Sequence, residues 1–248
     1  MAEKFVLEVN HLNSYYKDQN KLFGKIKRTQ VLKDVSFQIK KGEVLGLVGE
    51  SGSGKSTLSK AILSLVKDVE GEIHHYTKHP QMVFQDPYSS LNPSKKIGWI
   101  LEEPLRVQKR FNHNERQNKV KQMANRVGLE EKMLLRYPSD LSGGQRQRVS
   151  IALALISGAK FIIADEPVSA LDVTIQKQIL DLLLELQEEE DLSYLFISHD
   201  LAVIFQMCDR VMVMKDGEIV EEGLVDELFA HPKHPYTKRL IAASLGED

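Results

Sequence analysis

The chain has 248 residues, enough for one large globular domain or for a domain carrying an inserted subdomain. Hydrophobic residues make up 42% and charged residues 27%, an ordinary globular composition that excludes a disordered or low-complexity class. The formal net charge of −2 excludes a global field that would draw in nucleic acid or an anionic membrane. Lys25, Lys27 and Arg28 read as a solvated loop. The single cysteine, Cys208, allows no internal disulfide and fits a reducing cytosol. Placed among Met207, Val211 and Val213, it reads as a small buried hydrophobe rather than a reactive thiol. No apolar run approaches the roughly 18–20 residues that cross a bilayer, and Met1-Ala2-Glu3-Lys4 leads directly into a strand pattern rather than a signal peptide. A place at a membrane would have to come through other subunits.

Phe5 to Val9 and Val35 to Ile39 alternate apolar and polar residues at period two, which predicts two half-exposed strands. Lys40-Lys41-Gly42-Glu43 reads as a turn. Val44-Leu45-Gly46-Leu47-Val48 is a continuous apolar run, the pattern of a strand buried on both faces. A glycine-rich loop follows, then a helix from about Ser56 through Leu65. From Asp86 to Asp140 no buried strand stands out, and stretches such as Arg116 to Val127 look helical, so 86–140 reads as an inserted helical subdomain. Phe161-Ile162-Ile163-Ala164 and Tyr194-Leu195-Phe196-Ile197 read as two more buried strands. Between them Ile175, Ile179, Leu182, Leu183 and Leu186 recur at helical spacing. This alternation predicts a parallel sheet with helices on its faces. Val211 to Met214 and Glu218 to Val220, joined by Lys215-Asp216-Gly217, read as a closing hairpin. No internal repeat, heptad run or Gly/Ser linker is visible.

Gly49-Glu50-Ser51-Gly52-Ser53-Gly54-Lys55-Ser56-Thr57 fits the P-loop pattern, directly after a buried strand and before a helix. Its glycines let successive N–H groups curl around phosphate oxygens, and the helix N-terminus adds its dipole. Lys55 would reach the β- and γ-phosphates, and the Ser56 hydroxyl would sit on Mg²⁺. The loop alone leaves kinases, GTPases, helicases and transport ATPases open. Asp165-Glu166 closes an apolar strand, at the end where open α/β sheets bind ligands. Asp165 can hold Mg²⁺ through water, and Glu166 is placed to act as general base on the attacking water. An ordinary surface turn is the plain alternative. His199 ends a further apolar strand, where a histidine can bond a γ-phosphate or be purely structural.

Leu141-Ser142-Gly143-Gly144-Gln145-Arg146-Gln147-Arg148 supplies a second anion-binding helix start, with N–H groups and a serine hydroxyl. One triphosphate can use both starts only if the second comes from another subunit. The sequence resembles the ABC-type ATPase family, whose signature is this Leu-Ser-Gly-Gly-Gln, over roughly residues 5 to 245 and with the motifs in the family's order. The resemblance implies that Gln85, in Val83-Phe84-Gln85-Asp86, is the Q-loop glutamine and a further Mg²⁺ contact beside Ser56 and Asp165. It likewise implies that Ser169-Ala170-Leu171-Asp172 is the D-loop and His199 the switch histidine. Tyr16 matches the aromatic that stacks on adenine, with Tyr15 second; read alone, the pair would be strand-end packing.

A narrower likeness is to the ATPases of oligopeptide, dipeptide and nickel-chelate importers. It is carried by Val83-Phe84-Gln85-Asp86-Pro87-Tyr88-Ser89-Ser90-Leu91-Asn92-Pro93, by Leu22-Phe23-Gly24, and by the tail His231-Pro232-Lys233-His234-Pro235-Tyr236-Thr237. Leu153, Ala159 and Val168 depart from the residues usual in the family, and none removes a chemical group named above. The connection from Ile73 to Met82 is short, which predicts a trimmed arm of the antiparallel region. His74, His75 and His79 lie on what reads as a loop without Cys, Asp or Glu at ligand spacing, and are not taken as a metal site. The chain stops soon after Leu245, so no iron–sulfur cluster is expected.

The resemblance implies a RecA-like α/β core (1–85 and 141–230) with an antiparallel β region, the helical subdomain 86–140 and a tail 231–248, all one ABC ATPase domain. Two such domains are expected to close head-to-tail over two ATP molecules. Each ATP would lie between Lys55 of one subunit and Ser142, Gly143, Gly144, Gln145 and Asp172 on its partner's side. Expected partners are a paralogous ATPase (a homodimer being equally permitted by the interface), two membrane permeases and an external substrate-binding protein. The chain would sit peripherally on the cytoplasmic face of the membrane and bind no nucleic acid. The cargo, peptide or metal chelate, stays open. The competing readings are an ABC ATPase acting on nucleic acid or ribosomes, against which stands the lack of a second nucleotide domain or coiled coil, and a nucleotide sensor without turnover. Glu166 and His199 argue against the sensor.

Overall fold

The structure is a computed structural model that describes residues 4–18 and 27–245; Leu22-Phe23-Gly24 and Lys25 lie outside the described residues. In chain order it begins with β1 (Phe5–Asp18), β2 (Lys27–Lys40), β3 (Val44–Val48), α1 (Lys55–Ile62), β4 (Val69–His75) and β5 (Gln81–Val83). It continues through α2 (Pro87–Ser90), α3 (Ile97–Gln108), α4 (His113–Arg126), α5 (Gly143–Ile156), β6 (Phe161–Asp165) and α6 (Val173–Glu190). It closes with β7 (Ser193–Ile197), α7 (Leu201–Met207), β8 (Arg210–Lys215), β9 (Glu218–Leu224), α8 (Val225–Ala230) and α9 (Pro235–Leu245). Two compact units share these elements: residues 1–77 with 193–248, and residues 78–192.

In the first unit, β2, β1 and β4 form an antiparallel sheet in that order. The period-two pattern finds only the regular ends of β1 and β2. Register shifts follow Val9, Leu12 and Ser14, and His11 takes a positive φ of 51°, so the in–out alternation is reset several times. The strand β4 corrects the loop reading around His74 and His75: both are strand residues, and His74 stands opposite Glu8. Polar residues fill most of this half-exposed strand, and no apolar alternation marks it.

A second sheet in this unit places β3 between β7 and β8, both parallel to it, with β9 antiparallel on β8. Every residue of β3 and β7 is buried, which is why both read as unbroken apolar runs. The Asp209 carboxylate accepts the Val44 N–H at 2.9 Å and ties the start of β3 to the start of β8. Cys208 Sγ lies 3.1 Å from where a Cβ on Gly46 would stand, and burial pushes its thiol pKa up, as a packed apolar group requires. The helix α1 ends three residues before the sequence expectation, because Ser64 turns left-handed (φ 58°).

In the second unit, β5 and β6 pair in parallel, Met82 opposite Ile163. The helix α5 buries Val149, Ile151, Ala152, Ala154 and Leu155 and packs against α3, α4 and α6. Between residues 86 and 140 the elements are α2, α3, α4 and two short 3-10 turns. α4 starts three residues earlier than its apolar pattern suggests. The Asn112 side chain accepts the Glu115 N–H at 3.0 Å while the Glu115 carboxylate accepts the Asn112 N–H at 2.7 Å, a reciprocal cap. The buried Glu102 carboxylate of α3 accepts from Arg116 Nε at 2.7 Å and Gln117 Nε2 at 3.1 Å, latching α3 to α4.

Candidate active site

The P-loop joins β3 to α1. Gly49 is obligatory there: a Cβ would stand 2.2 Å from the Met214 carbonyl oxygen on β8. The chain then turns through Gly52 (φ 85°) and Gly54 (φ 113°), and Gly54 begins α1 with no side-chain cap. The first turn of α1 carries the positive end of the helix dipole. Lys55 is buried, and its Nζ donates to the carbonyls of Gly49 at 2.7 Å and Glu50 at 3.0 Å. The ammonium is thus held inside its own loop. Ser51, Gly52 and Ser56 are exposed, Thr57 is half-buried, and Ser53 is buried.

Sequence reasoning missed what braces this loop. The turn Lys215-Asp216-Gly217, read only as a hairpin connection, donates the Gly217 N–H to the Ser53 carbonyl at 2.9 Å. The Gly217 carbonyl in turn accepts the Lys33 N–H at 2.9 Å. A glycine at a hairpin turn carries no sign in the sequence of a second, distant partner.

At the other strand end, Asp165 is the last residue of β6 and is half-buried. Glu166 follows with φ 48°, a left-handed conformation that costs about 1–2 kcal/mol for a non-glycine residue. Gln85 Nε2 donates to the Glu166 carboxylate at 3.0 Å and lies 3.4 Å from Ser169 Oγ, while Ser169 Oγ donates to the Glu166 carbonyl at 3.2 Å. The Q-loop glutamine, the acidic strand end and the first D-loop residue thus form one cluster. Asp172 caps α6 by accepting the Ile175 N–H at 3.0 Å.

The signature helix α5 starts with a reciprocal cap. Ser142 Oγ accepts the Gln145 N–H at 3.3 Å, and the Gln145 side chain accepts the Ser142 N–H at 3.0 Å. Ser142 and Gly143 are exposed, but Gly144 is buried: a Cβ there would stand 2.5 Å from Ile175 Cγ2 on α6.

Of the two tyrosines proposed for adenine, Tyr15 is engaged within its sheet. The Arg28 guanidinium stacks 3.7 Å from its ring centre, and its hydroxyl donates to Glu70 at 3.3 Å. Tyr16 is 48% exposed, so its ring face is the accessible one. His199 is exposed just beyond β7. His74 pairs with Glu72 at 3.1 Å and His75 Nε2 bonds the Ile62 carbonyl at 2.9 Å. Ala159 and Val168, two of the departures from the family pattern, are buried apolar residues.

An uncapped P-loop helix, a strand end carrying two carboxylates and a self-capped Ser-Gly-Gly-Gln helix define a nucleotide-hydrolysing P-loop ATPase. The chain belongs to the ABC transporter family, which it matches over residues 32–169. It is 47% identical to the oligopeptide transport ATP-binding protein OppF of Haemophilus influenzae, over 97% of this chain and 78% of that protein. It is 44% identical to the dipeptide transport ATP-binding protein DppF of the same organism, over 94% of this chain and 76% of that one. Among solved structures it resembles cbiO1 of Clostridium perfringens, part of an ABC transporter complex, with TM-score 0.78 and 29% identity over 98% of this chain and 97% of that one. It also resembles a dimeric ATP-binding cassette in a post-hydrolysis state bound to ADP and Pi, with TM-score 0.75 and 30% identity over 88% and 98% of the two chains.

Proposed function

We propose that this chain is the ATP-hydrolysing subunit of an importer whose cargo is a peptide. The observation that carries the hydrolytic reading is Glu166, held left-handed at the end of a buried strand with its carboxylate on Gln85. A carboxylate fixed by a neighbour's amide is oriented to take a proton from water at a defined angle. Phosphoryl transfer to water depends mostly on positioning and charge stabilisation. Accordingly the P-loop N–H groups and Lys55 take the phosphates, and Tyr16 offers its exposed face to adenine. The exposed His199 serves as the γ-phosphate contact.

Ser56, Gln85 and Asp165 supply a hydroxyl, a carboxamide oxygen and a carboxylate, the hard oxygen donors that Mg²⁺ prefers. Gln85 spends its amide protons on Glu166, which leaves its oxygen for a cation. Bound Mg²⁺ would neutralise charge on the β- and γ-phosphates.

The signature start completes a second copy's nucleotide site, with Ser142, Gly143, Gly144 and Gln145 meeting the γ-phosphate and Asp172 alongside. This assembly is supported by the dimeric ADP-bound cassette that the fold resembles. Peptide cargo is favoured over metal chelate by the functions of the oligopeptide and dipeptide transport relatives. No helix among the described residues is long and apolar enough to cross a membrane. The transport functions of the relatives support a place at the cytoplasmic face of the membrane, held by two permeases to which an external binding protein delivers cargo. A net charge of −2 gives no support to action on nucleic acid.

In the assembled transporter, Glu166→Gln is expected to keep MgATP affinity within about twofold and to lower hydrolysis at least ~100-fold. Near-normal turnover would remove Glu166 from the base role. Pull-down from solubilised membranes is expected to recover a second, different P-loop ATPase and two permeases; two copies of this chain with no paralogue would make it a homodimeric motor.

A further inference from the structure

The tail His231-Pro232-Lys233-His234-Pro235-Tyr236-Thr237 has no part in the chemistry above, yet it reaches the phosphate loop. We infer that Tyr236 is a positioning residue of the nucleotide site: its hydroxyl holds the Glu50 peptide of the P-loop, and the tail thereby contributes to phosphate binding. The inference rests on the P-loop being the nucleotide site.

The Glu50 N–H donates to Tyr236 Oη at 2.9 Å. Most P-loop N–H groups turn inward to a phosphate; this one turns outward onto a tyrosine. The next bond in the same stretch is the Glu50 carbonyl accepting Lys55 Nζ at 3.0 Å, so both polar ends of residue 50 are tied.

Tyr236 is itself fixed in place. It is 3% exposed, in the first turn of α9, and its backbone N–H donates to His234 Nδ1 at 3.1 Å. The Glu221 carboxylate of β9 accepts the N–H groups of Lys233 at 2.8 Å and His234 at 2.9 Å, which clamps the entry to α9. Lys215 Nζ lies 5.3 Å from the centre of the tyrosine ring.

Three glycines within six residues, at positions 49, 52 and 54, make the P-loop costly to order before a ligand arrives. Contacts that hold the loop in its receiving shape lower the entropy lost on binding and so raise affinity. Three such contacts come from the C-terminal part of this unit: the Met214 carbonyl against Gly49, the Gly217 N–H on Ser53, and Tyr236 on Glu50. The first two are backbone. Tyr236 is the one a side-chain substitution can remove cleanly.

The test uses the full chain and MgADP, which probes the loop without requiring turnover. Tyr236→Phe deletes one oxygen and keeps the buried ring. Its calorimetric MgADP affinity is expected to fall about 3- to 10-fold, the worth of one net hydrogen bond. In the assembled transporter the KM for ATP is expected to rise by the same factor with kcat within about twofold. Glu221→Ala, which touches no part of the loop, is expected to weaken MgADP binding in the same direction and non-additively with Tyr236→Phe. If Glu221→Ala does not fold, Tyr236→Phe alone decides. A Tyr236→Phe protein with parental MgADP affinity overturns the inference whatever its melting temperature, because a lower Tm at unchanged affinity marks a purely structural tyrosine. A parental chain that fails to bind MgADP overturns instead the reading of the P-loop on which the inference rests.

Discussion

Two helix starts in this chain are proposed to meet phosphate, and they are built in opposite ways. At α1 the capping position is a left-handed glycine with no side chain to offer, and no side chain caps the first turn. At α5 the capping position is Ser142 in an extended conformation, and Ser142 and Gln145 satisfy each other's backbone N–H groups. α1 has only 8 residues, too few to be stable by itself, and depends on burying Leu58, Ala61 and Ile62. α5 has 14 residues, is buried along most of its length and brings its own cap. The difference fits the proposed roles: a site that receives phosphate directly, and a surface that stands intact until a ligand is brought to it. The first has no side-chain cap of its own and relies on the surrounding structure. The second is satisfied in isolation and presents the Ser142 hydroxyl and the N–H groups of Gly143 and Gly144. Gly144 sharpens the point: it faces inward onto Ile175, so it contributes its backbone, and its lack of a side chain serves packing within its own unit.

The largest expected effect is at the open start. Lys55→Ala removes the ammonium that bridges the carbonyls of Gly49 and Glu50 as well as the phosphate's counter-charge. MgATP affinity and hydrolysis are both expected to fall at least ~100-fold, as measured by calorimetry and phosphate release; retained affinity would show the open helix start sufficient without its cation.

Next comes Gly144→Ala, expected to cost about 1–3 kcal/mol of stability from overpacking against Ile175. Combining it with Ile175→Ala should recover part of that loss in a denaturant titration. A double variant no better than the sum of its single changes would move the glycine requirement from packing to the nucleotide. The smallest effect is expected for Ser142→Ala, which removes one half of the reciprocal cap. About 1 kcal/mol is expected, or a Tm lower by about 2–4 °C. An unchanged melt would mean the cap does not hold α5 in the free chain, and the contrast with α1 would lose its basis.

The motif positions were legible because each depends on local spacing. A P-loop needs its glycines, lysine and serine within nine consecutive residues, and β3 and β6 show as apolar runs because both of their faces are covered. The reciprocal cap at Asn112 and Glu115 was equally local and could have placed the start of α4. β1 was harder, since its bulges break the alternation on which a period-two reading depends. β4 was illegible because Val-Glu-Gly-Glu-Ile-His-His has no apolar stripe; its place comes from pairing with β1.

By itself the sequence marked the phosphate-loop and strand-end carboxylate motifs on which the proposed roles rest and where the strands that carry them lie, since backbone donors, charges and covered strands are local properties. Only the tertiary structure decided which tyrosine is open to a base, because the choice between Tyr15 and Tyr16 turns on Arg28 and Glu70 reaching one of them from other strands. It alone decided that Gly144 faces Ile175 and that Tyr236 grips the peptide of Glu50, 186 positions away. Contacts at such separations are set by how elements distant in sequence pack within each unit, and no spacing along the chain records them.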